Sequence, residues 1–195
     1  MSMLEIAGTV LGVLGVWLMI RQNIWGWPVG LVQVALYAWI FFGARLYSDA
    51  ILQLIFFGLQ LYGWWHWARA RRDPSRVTPE LPVTRLAVST GAMLGVAGLA
   101  GTLLWGEFMR RTTDAALPHW DAFILVFSLI AQWLQARKVL ECWLGWIIVN
   151  LVAVGVYWVK DLRLTTGLYI VFLGMAVWGW RAWRASERER EVRRA

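Results

Sequence analysis

The chain has 195 residues, of which 59% are hydrophobic and only 16% charged, and its formal net charge is +7 at pH 7. So few charged side chains cannot cover the surface of a soluble domain, and the composition therefore favours an integral membrane protein. The two histidines, His66 and His119, lie far apart without acidic or cysteine neighbours at ligand spacing, which argues against a metal centre.

Seven apolar stretches without a charged residue follow one another along the chain and are predicted to be transmembrane helices. About 20 helical residues cross the hydrocarbon core of a bilayer, and the second, third, fourth and sixth stretches come close to that length. The first and fifth are shorter, and Glu5 and Asp121 at their ends are expected at the solvated interface. The stretches are Ile6–Ile20, Gln22–Ala44, Ala50–Ala68, Leu86–Gly106, Ala122–Ala136, Cys142–Val159 and Leu164–Trp180.

These stretches divide the chain into two groups of three around one central stretch. Residues 1–68 are predicted to form a first three-helix repeat, and residues 120–183 a second. Between them we expect a proline-containing cytoplasmic linker (69–85), a linker helix (86–106) and an external loop (107–119). The charged tail (184–195) alternates Glu and Arg and is interpreted as a solvated cytoplasmic extension of the last helix.

An internal repeat supports this division. When the chain is shifted by 116 residues, tryptophans and glycines of the first half coincide with those of the second. An odd number of helices between the halves keeps them in the same orientation, so the predicted fold is all-α, with seven transmembrane helices in a 3+1+3 parallel-repeat (SWEET-like) arrangement. Chance is the alternative, because both residue types are abundant. The coinciding pairs are Trp27 with Trp143, Gly58 with Gly174, Gly63 with Gly179, Trp64 with Trp180 and Trp67 with Trp183.

The distribution of Lys and Arg predicts the orientation. With seven spans, the second, fourth and sixth loops carry five basic residues, and the other loops with the C-terminus carry fourteen. Basic loops remain cytoplasmic, so the N-terminus is expected outside and the C-terminus inside. Because these residues flank spans, the net charge is interpreted as topological, and no nucleic-acid partner is expected. The first stretch lacks a basic segment before it and is not expected to be a cleaved signal peptide.

Polar side chains inside the predicted spans are the candidate solute-binding residues. A polar group in hydrocarbon needs a partner, and amides offer both donors and acceptors, which suits a sugar or an amide. Aromatic faces could also hold a flat cationic ring. Interhelical hydrogen bonding is the alternative role for each amide. No mid-span residue is charged, which favours uncoupled movement. The candidates are Gln33, Tyr37, Gln53, Gln60, Trp146, Asn150, Tyr157 and Tyr169.

An enzyme is a second functional class, but the sequence offers it no chemistry. No phosphate-binding glycine loop is present, and Cys142 is interpreted as a small packing residue. We therefore predict no catalytic residue, no metal site and no cofactor. A scaffold or receptor that transports nothing is a third class, against which the mid-span amides in both halves argue.

Several motifs resemble those of PnuC-type nicotinamide riboside transporters. They cover Leu4 to about Trp183 and include the segments 25–31 (WGWPVGL), 45–50 (RLYSDA), 62–67 (YGWWHW) and 141–150 (ECWLGWIIVN). The resemblance implies a SWEET-like vitamin transporter in a bacterial inner membrane, often a homotrimer. It would take up nicotinamide riboside, an NAD precursor, by facilitated diffusion, and phosphorylation in the cytoplasm would trap it.

The same resemblance implies a substrate pocket that includes Gln53, Trp146, Asn150 and Tyr169. Two positions differ from the family pattern, since Gln33 and Gln60 stand where nicotinamide riboside carriers tend to have Asn. The longer side chains alter hydrogen-bond reach, which leaves the identity of the vitamin open. Nicotinamide riboside is ranked first, thiamine second and riboflavin third.

Overall fold

The computed structural model describes residues 3–43, 45, 47–72 and 81–192, and this part of the chain forms seven α-helices. Of the predicted linker 69–85, residues 73–80 with Pro74 and Pro79 lie outside the described residues. The helices are α1 (Met3–Ile20), α2 (Gly26–Gly43), α3 (Tyr47–Arg71), α4 (Val88–Thr112), α5 (Pro118–Ala136), α6 (Cys142–Val159) and α7 (Arg163–Val192).

The all-α, multi-span class predicted from the sequence is confirmed. By length and composition, α2, α4 and α6 can cross a membrane, and α1 contains a shorter apolar segment. Large apolar side chains on the outer surface are exposed, among them Val96 and Leu104 on α4 and Leu151 on α6. In a bilayer such side chains face lipid, so their exposure fits a polytopic membrane protein.

Six of the helices form a closed ring. Each packs against the next in the order α1, α2, α3, α5, α6, α7, and α7 returns to α1. Among the described helices, α4 packs only on α5, where Gly98 of α4 faces the Phe127 ring and Gly106 faces His119. The ring surrounds a central space, whereas α4 lies to one side of it.

Four sharp helix endings recur 116 residues apart. Gln22 and Lys138 follow α1 and α5 with φ of 54° and 57°, and Arg45 and Asp161 follow α2 and α6 with φ of 61° and 57°. This left-handed backbone lets the next amide reach back five residues, as Val139 N–H does to Leu134 O at 3.0 Å. Such a conformation costs a residue with a side chain about 1–2 kcal/mol, so the surrounding packing must hold these turns.

Four buried tryptophans form a row across the end of the ring where α1, α3, α5 and α7 finish. Trp27 and Trp67 meet edge to face with centroids 5.5 Å apart, and Trp143 and Trp183 meet in the same way at 5.4 Å. Trp67 and Trp183 join the two pairs at 6.1 Å. We call Trp27, Trp67, Trp183 and Trp143 the tryptophan row; none is more than 3% exposed.

Two hydrogen bonds from this row connect the first three helices to the last three. The Trp67 indole N–H donates to the Ala136 carbonyl at the end of α5, at 3.0 Å. The Trp183 indole N–H donates to the Met19 carbonyl near the end of α1, also at 3.0 Å. We call these two bonds the indole latches, because each ties the third helix of one half to the first helix of the other.

The segment that enters α4 is bound to the second half. The Thr84 N–H donates to the Lys138 carbonyl at 3.1 Å, and the Leu140 N–H donates to the Thr84 carbonyl at 2.9 Å. Arg85 pairs with Glu187 on the extended end of α7 at 2.6 Å, and this hydrogen bond raises the pKa of the guanidinium. The segment therefore fastens the turn between α5 and α6 to the end of α7.

Two glycines allow the tryptophan row to form, and alanine at either should destabilise the protein. A Cβ at Gly63 would collide with the Trp27 ring, and one at Gly179 would lie 2.6 Å from the Trp143 ring. We expect Gly63→Ala and Gly179→Ala each to lower the free energy of unfolding by about 1–3 kcal/mol, measured by SDS titration in mixed micelles.

Gly58 and Gly174 are the matched controls, because they also lie 116 residues apart and a Cβ at either meets nothing within 4 Å. Alanine there should leave the stability unchanged or raise it by up to about 1 kcal/mol through helix propensity. Equal effects at all four positions would show that the contact with the row is unimportant.

Candidate solute-binding site

The ring encloses a cavity of about 620 Å³. This lies within the usual size range of small-molecule sites, which are concave and combine apolar walls with a few polar groups. All seven helices contribute to its wall, although α4 does so only through Met109. The tryptophan row lies at one end of the cavity, where Trp143 is part of the lining.

The structure brings most of the sequence-predicted site residues to this cavity. Tyr37 is the exception: its ring packs against Gly8 and stacks on Phe41, which does line the cavity, at a centroid distance of 5.8 Å. Tyr37 is thus placed behind the wall. The predicted residues on the wall are Gln33, Gln53, Gln60, Trp146, Asn150, Tyr157 and Tyr169.

Glycines on neighbouring helices make room for two of the amides. A Cβ at Gly12 of α1 would lie 2.6 Å from Gln33 Nε2, and one at Gly30 of α2 would collide with the carboxamide of Gln60. The ends of these two long amides therefore occupy notches between helices. A Gln side chain is longer than an Asn side chain, and the space beside each glycine accommodates the additional length.

The second half supplies an aromatic wall. The rings of Tyr157 and Tyr169 lie 5.0 Å apart, and Phe172 meets Tyr169 edge to face at 6.1 Å. The Trp146 indole N–H donates to Gln135 Oε1 at 2.9 Å. This wall offers flat faces beside hydroxyl and amide groups.

Several polar residues that line the cavity are not among the candidates predicted from the sequence. Ser128, Gln132 and Gln135 of α5 lie about one turn apart on one helix face and are all buried. Ser128 and Gln132 fall inside the fifth apolar stretch, so their spacing was a usable signal. Gln135 sits near the end of that stretch, two residues before Arg137, where an amide is expected at the interface.

A charge pair also belongs to the wall, which corrects one interpretation. Asp121 was expected to be solvated at the interface, but its carboxylate oxygens accept hydrogen bonds from Lys160 Nζ at 2.7 and 2.8 Å. Both side chains are 25% exposed and both line the cavity. They lie at the opposite end of the helices from the tryptophan row, because Asp121 is in the first turn of α5 and Lys160 follows α6.

Most hydrogen-bonding groups of the lining are not repeated 116 residues apart, whereas the tryptophan row is; Phe56 and Phe172 are an identical pair on the wall. Where one half has a hydrogen-bonding group on the wall, the other half usually has an apolar or small residue. The wall is therefore asymmetric, with most of its amides on α2, α3, α5 and α6. Such pairs include Met19 with Gln135, Gly30 with Trp146, Val34 with Asn150 and Gln60 with Ala176, all on the wall, and Gln33 with Val149, of which only Gln33 is on the wall.

This arrangement can bind a small solute that has a flat ring and several hydroxyl or amide groups. Amides and phenols donate and accept hydrogen bonds, and the aromatic faces attract flat or cationic rings. Among the described lining residues, the two charged groups are paired with one another. The lining therefore combines hydrogen-bonding amides and phenols with aromatic faces and one neutralised ion pair.

Comparisons with known proteins identify the family. Residues 2–185 match the family model described as "Nicotinamide mononucleotide transporter". The chain therefore belongs to this family, which confirms the resemblance found in the sequence. The family is one of transporters, so the protein is not an enzyme.

Individual relatives agree with this assignment. The chain is 28% identical to the nicotinamide riboside transporter PnuC of Escherichia coli over 214 residues, covering 99% of this chain and 90% of that protein. It is 27% identical to the riboflavin/roseoflavin transporter RibM of Streptomyces davaonensis over 180 residues, covering 92% and 83%. Its fold is similar to the crystal structure of the vitamin B3 transporter PnuC, with a TM-score of 0.75, 24% identity, and coverage of 95% and 82%.

The Asp121–Lys160 pair should contribute measurably to stability. It is partly buried, so its coupling energy should exceed that of a surface pair and reach about 1–2 kcal/mol in a double-mutant cycle of Asp121→Asn and Lys160→Met. The exposed Glu107–Arg111 pair on α4 is the control, and Glu107→Gln should leave stability unchanged. A coupling energy of zero would mean that the two groups are independently solvated.

Proposed function

We propose that this member of the family imports nicotinamide riboside across a bacterial inner membrane by facilitated diffusion. The observation that carries the proposal is the central cavity, whose uncharged amides and aromatic rings suit a flat cationic ring joined to a sugar. Curated relatives with this substrate in their names support it. Phosphorylation in the cytoplasm would trap the imported solute.

Riboflavin is the second candidate, because a relative along most of the chain is a riboflavin/roseoflavin transporter. Riboflavin also combines a flat ring with hydroxyl groups, but it is neutral and larger. Thiamine remains a prediction from the sequence alone. The proposed pocket consists of Gln33, Gln53, Gln60, Trp146, Asn150, Tyr157 and Tyr169 on the wall, with Tyr37 behind it.

We further propose that α1–α3 and α5–α7 are parallel repeats joined by α4, in the 3+1+3 arrangement with seven membrane spans. Four left-handed turns, the tryptophan row and its two glycines recur at a spacing of 116 residues, which supports this division. This arrangement corresponds to the segments predicted from the sequence, which are 1–68, 69–85, 86–106, 107–119, 120–183 and 184–195. Arginine-rich segments at the end that carries the row support an inside C-terminus and an outside N-terminus.

Alternating access follows from relative movement of the two halves around the cavity. In the conformation described, the tryptophan row and the indole latches close the predicted cytoplasmic end. Opening to the cytoplasm requires both latches to break, since each connects one half to the other. We propose no ion coupling, because the charged groups on the described wall neutralise one another. A homotrimer remains a proposal that rests on the family resemblance.

Loss of a cavity amide should abolish binding without affecting folding. Asn150 is 5% exposed on the wall, so Asn150→Ala should remove hydrogen bonds to the solute, and Gln53→Ala should do the same from the first half. We expect both variants to lose detectable nicotinamide riboside binding by calorimetry of the purified protein, at unchanged melting temperature.

Leu151→Ala is the control, because Leu151 adjoins Asn150 and is 61% exposed toward lipid. It should bind as the wild type does. Riboflavin and thiamine should be titrated in parallel, since tight binding of one of these alone would replace the proposed substrate. If the wild type binds none of the three, the vitamin assignment is wrong.

Weakening the indole latches should open the cytoplasmic end. Trp67→Phe and Trp183→Phe each keep an aromatic ring but remove the indole N–H that makes the latch, at a cost of about 1 kcal/mol. This corresponds to about a fivefold shift toward the open state per latch, and about 25-fold in the double variant if the effects add. Cys142 is the single cysteine and is fully buried beside the row, so its maleimide labelling rate reports the opening.

Trp64→Phe is the matched control, because Trp64 is 39% exposed on the outer face of α3. This substitution should leave the labelling rate of Cys142 unchanged. If the folded double variant labels no faster than wild type, the latches do not hold the cytoplasmic end closed.

A further inference from the structure

We propose that Gln135 is a positioning residue, which fixes the plane of the Trp146 ring so that the ring can stack on the bound solute. This inference rests on the proposed function. Gln135 Oε1 accepts the Trp146 indole N–H at 2.9 Å, and both residues line the cavity. Gln135 acts on the solute through Trp146 rather than through its own contact.

Gln135 is well suited to this task because its backbone is held on several sides. It is 6% exposed and is the second-last residue of α5. Its carbonyl accepts the Lys138 N–H at 2.9 Å, and the carbonyl of the next residue, Ala136, accepts an indole latch from Trp67. The backbone that carries Gln135 Oε1 is thus held at the end of the ring of helices that the tryptophan row closes.

Trp146 needs such an acceptor because a large side chain beside a cavity has several possible rotamers. An indole N–H that enters an apolar space without an acceptor is costly, so the hydrogen bond to Gln135 selects one orientation. Flat rings attract one another only in particular arrangements, and a cation must lie over the ring face. A fixed plane therefore favours a flat solute on that face.

The anchoring also connects the site to the cytoplasmic end. The Trp67 latch ends on the residue directly after Gln135, so separation of α3 from this end of α5 displaces the acceptor oxygen from the indole. Trp146 is then released from its fixed plane. The site holds the solute firmly while the cytoplasmic end is closed and loosens as that end opens.

A double-mutant cycle tests this role. Gln135→Met keeps the side-chain length but removes the acceptor, and it should weaken nicotinamide riboside binding in calorimetry about tenfold. Trp146→Phe removes the donor. In the Trp146→Phe background, Gln135→Met should weaken nicotinamide riboside binding by less than about twofold. Gln135→Glu retains an acceptor oxygen at the same reach and should bind within about threefold of wild type.

Gln132→Met is the matched control, since Gln132 also lines the cavity one turn away, while the Trp146 indole N–H donates to Gln135. The effect of Gln132→Met on nicotinamide riboside binding should be the same in the wild type and in the Trp146→Phe variant. If Gln135→Met weakens binding equally in both backgrounds, Gln135 acts directly on the solute and the inference is overturned.

A second measurement does not depend on the solute. The indole N–H signal of Trp146, assigned by its loss in Trp146→Phe, should exchange with deuterated water at least about tenfold faster in Gln135→Met than in wild type. Unchanged exchange would overturn the inference even if the vitamin binds. If wild type binds no vitamin, the proposed function fails, while the exchange rate still decides whether Gln135 holds the ring.

Discussion

The architecture depends on the close approach of two tryptophan rings to two glycine backbones, Trp27 on Gly63 and Trp143 on Gly179. In a bilayer the lipid tails are as apolar as the side chains, so helices associate through tight packing and hydrogen bonds rather than through the hydrophobic effect. These contacts bring the second helix of each half against the third. They also place the tryptophan row where its indole groups reach carbonyls of the opposite half. The cavity lies between the row at one end of the ring and the Asp121–Lys160 pair at the other.

Some residues are identical at positions 116 residues apart in the two halves, and others are not. Residues that shape the frame recur at a spacing of 116 residues, including the row, its glycines and the left-handed turns. Most hydrogen-bonding residues that line the cavity are not repeated at the same spacing, as Gly30 and Trp146 show. The frame must close two equivalent interfaces and therefore needs the same residues twice. A solute without two-fold symmetry has no such requirement, so the wall can supply an amide on one side and an aromatic ring on the other.

Much of this could be predicted from the sequence, because membrane spans and repeats leave strong signals. Charge-free stretches gave the helices, and a few tryptophans and glycines in one register gave the spacing of 116 residues. A position in mid-span indicated four of the six amides on the wall, since a polar side chain in hydrocarbon needs a partner. Gln135 and the Asp121–Lys160 pair were missed because they lie at span ends, where a polar residue needs no partner. Tyr37 was predicted as a site residue but does not line the cavity. A polar residue within a span can be recognised in the sequence, but whether its side chain reaches the cavity cannot.

The asymmetry of the wall has a consequence for how such a site can change. In an assembly of two identical three-helix chains, every substitution would occur twice, once on each side of the two-fold axis. Here a single chain carries both halves, so glycine at position 30 can coexist with tryptophan at position 146. The two sides of the cavity therefore offer different chemistry. Each side of the cavity can change its chemistry without altering the other, while the recurring tryptophans and glycines keep the same packing in both halves.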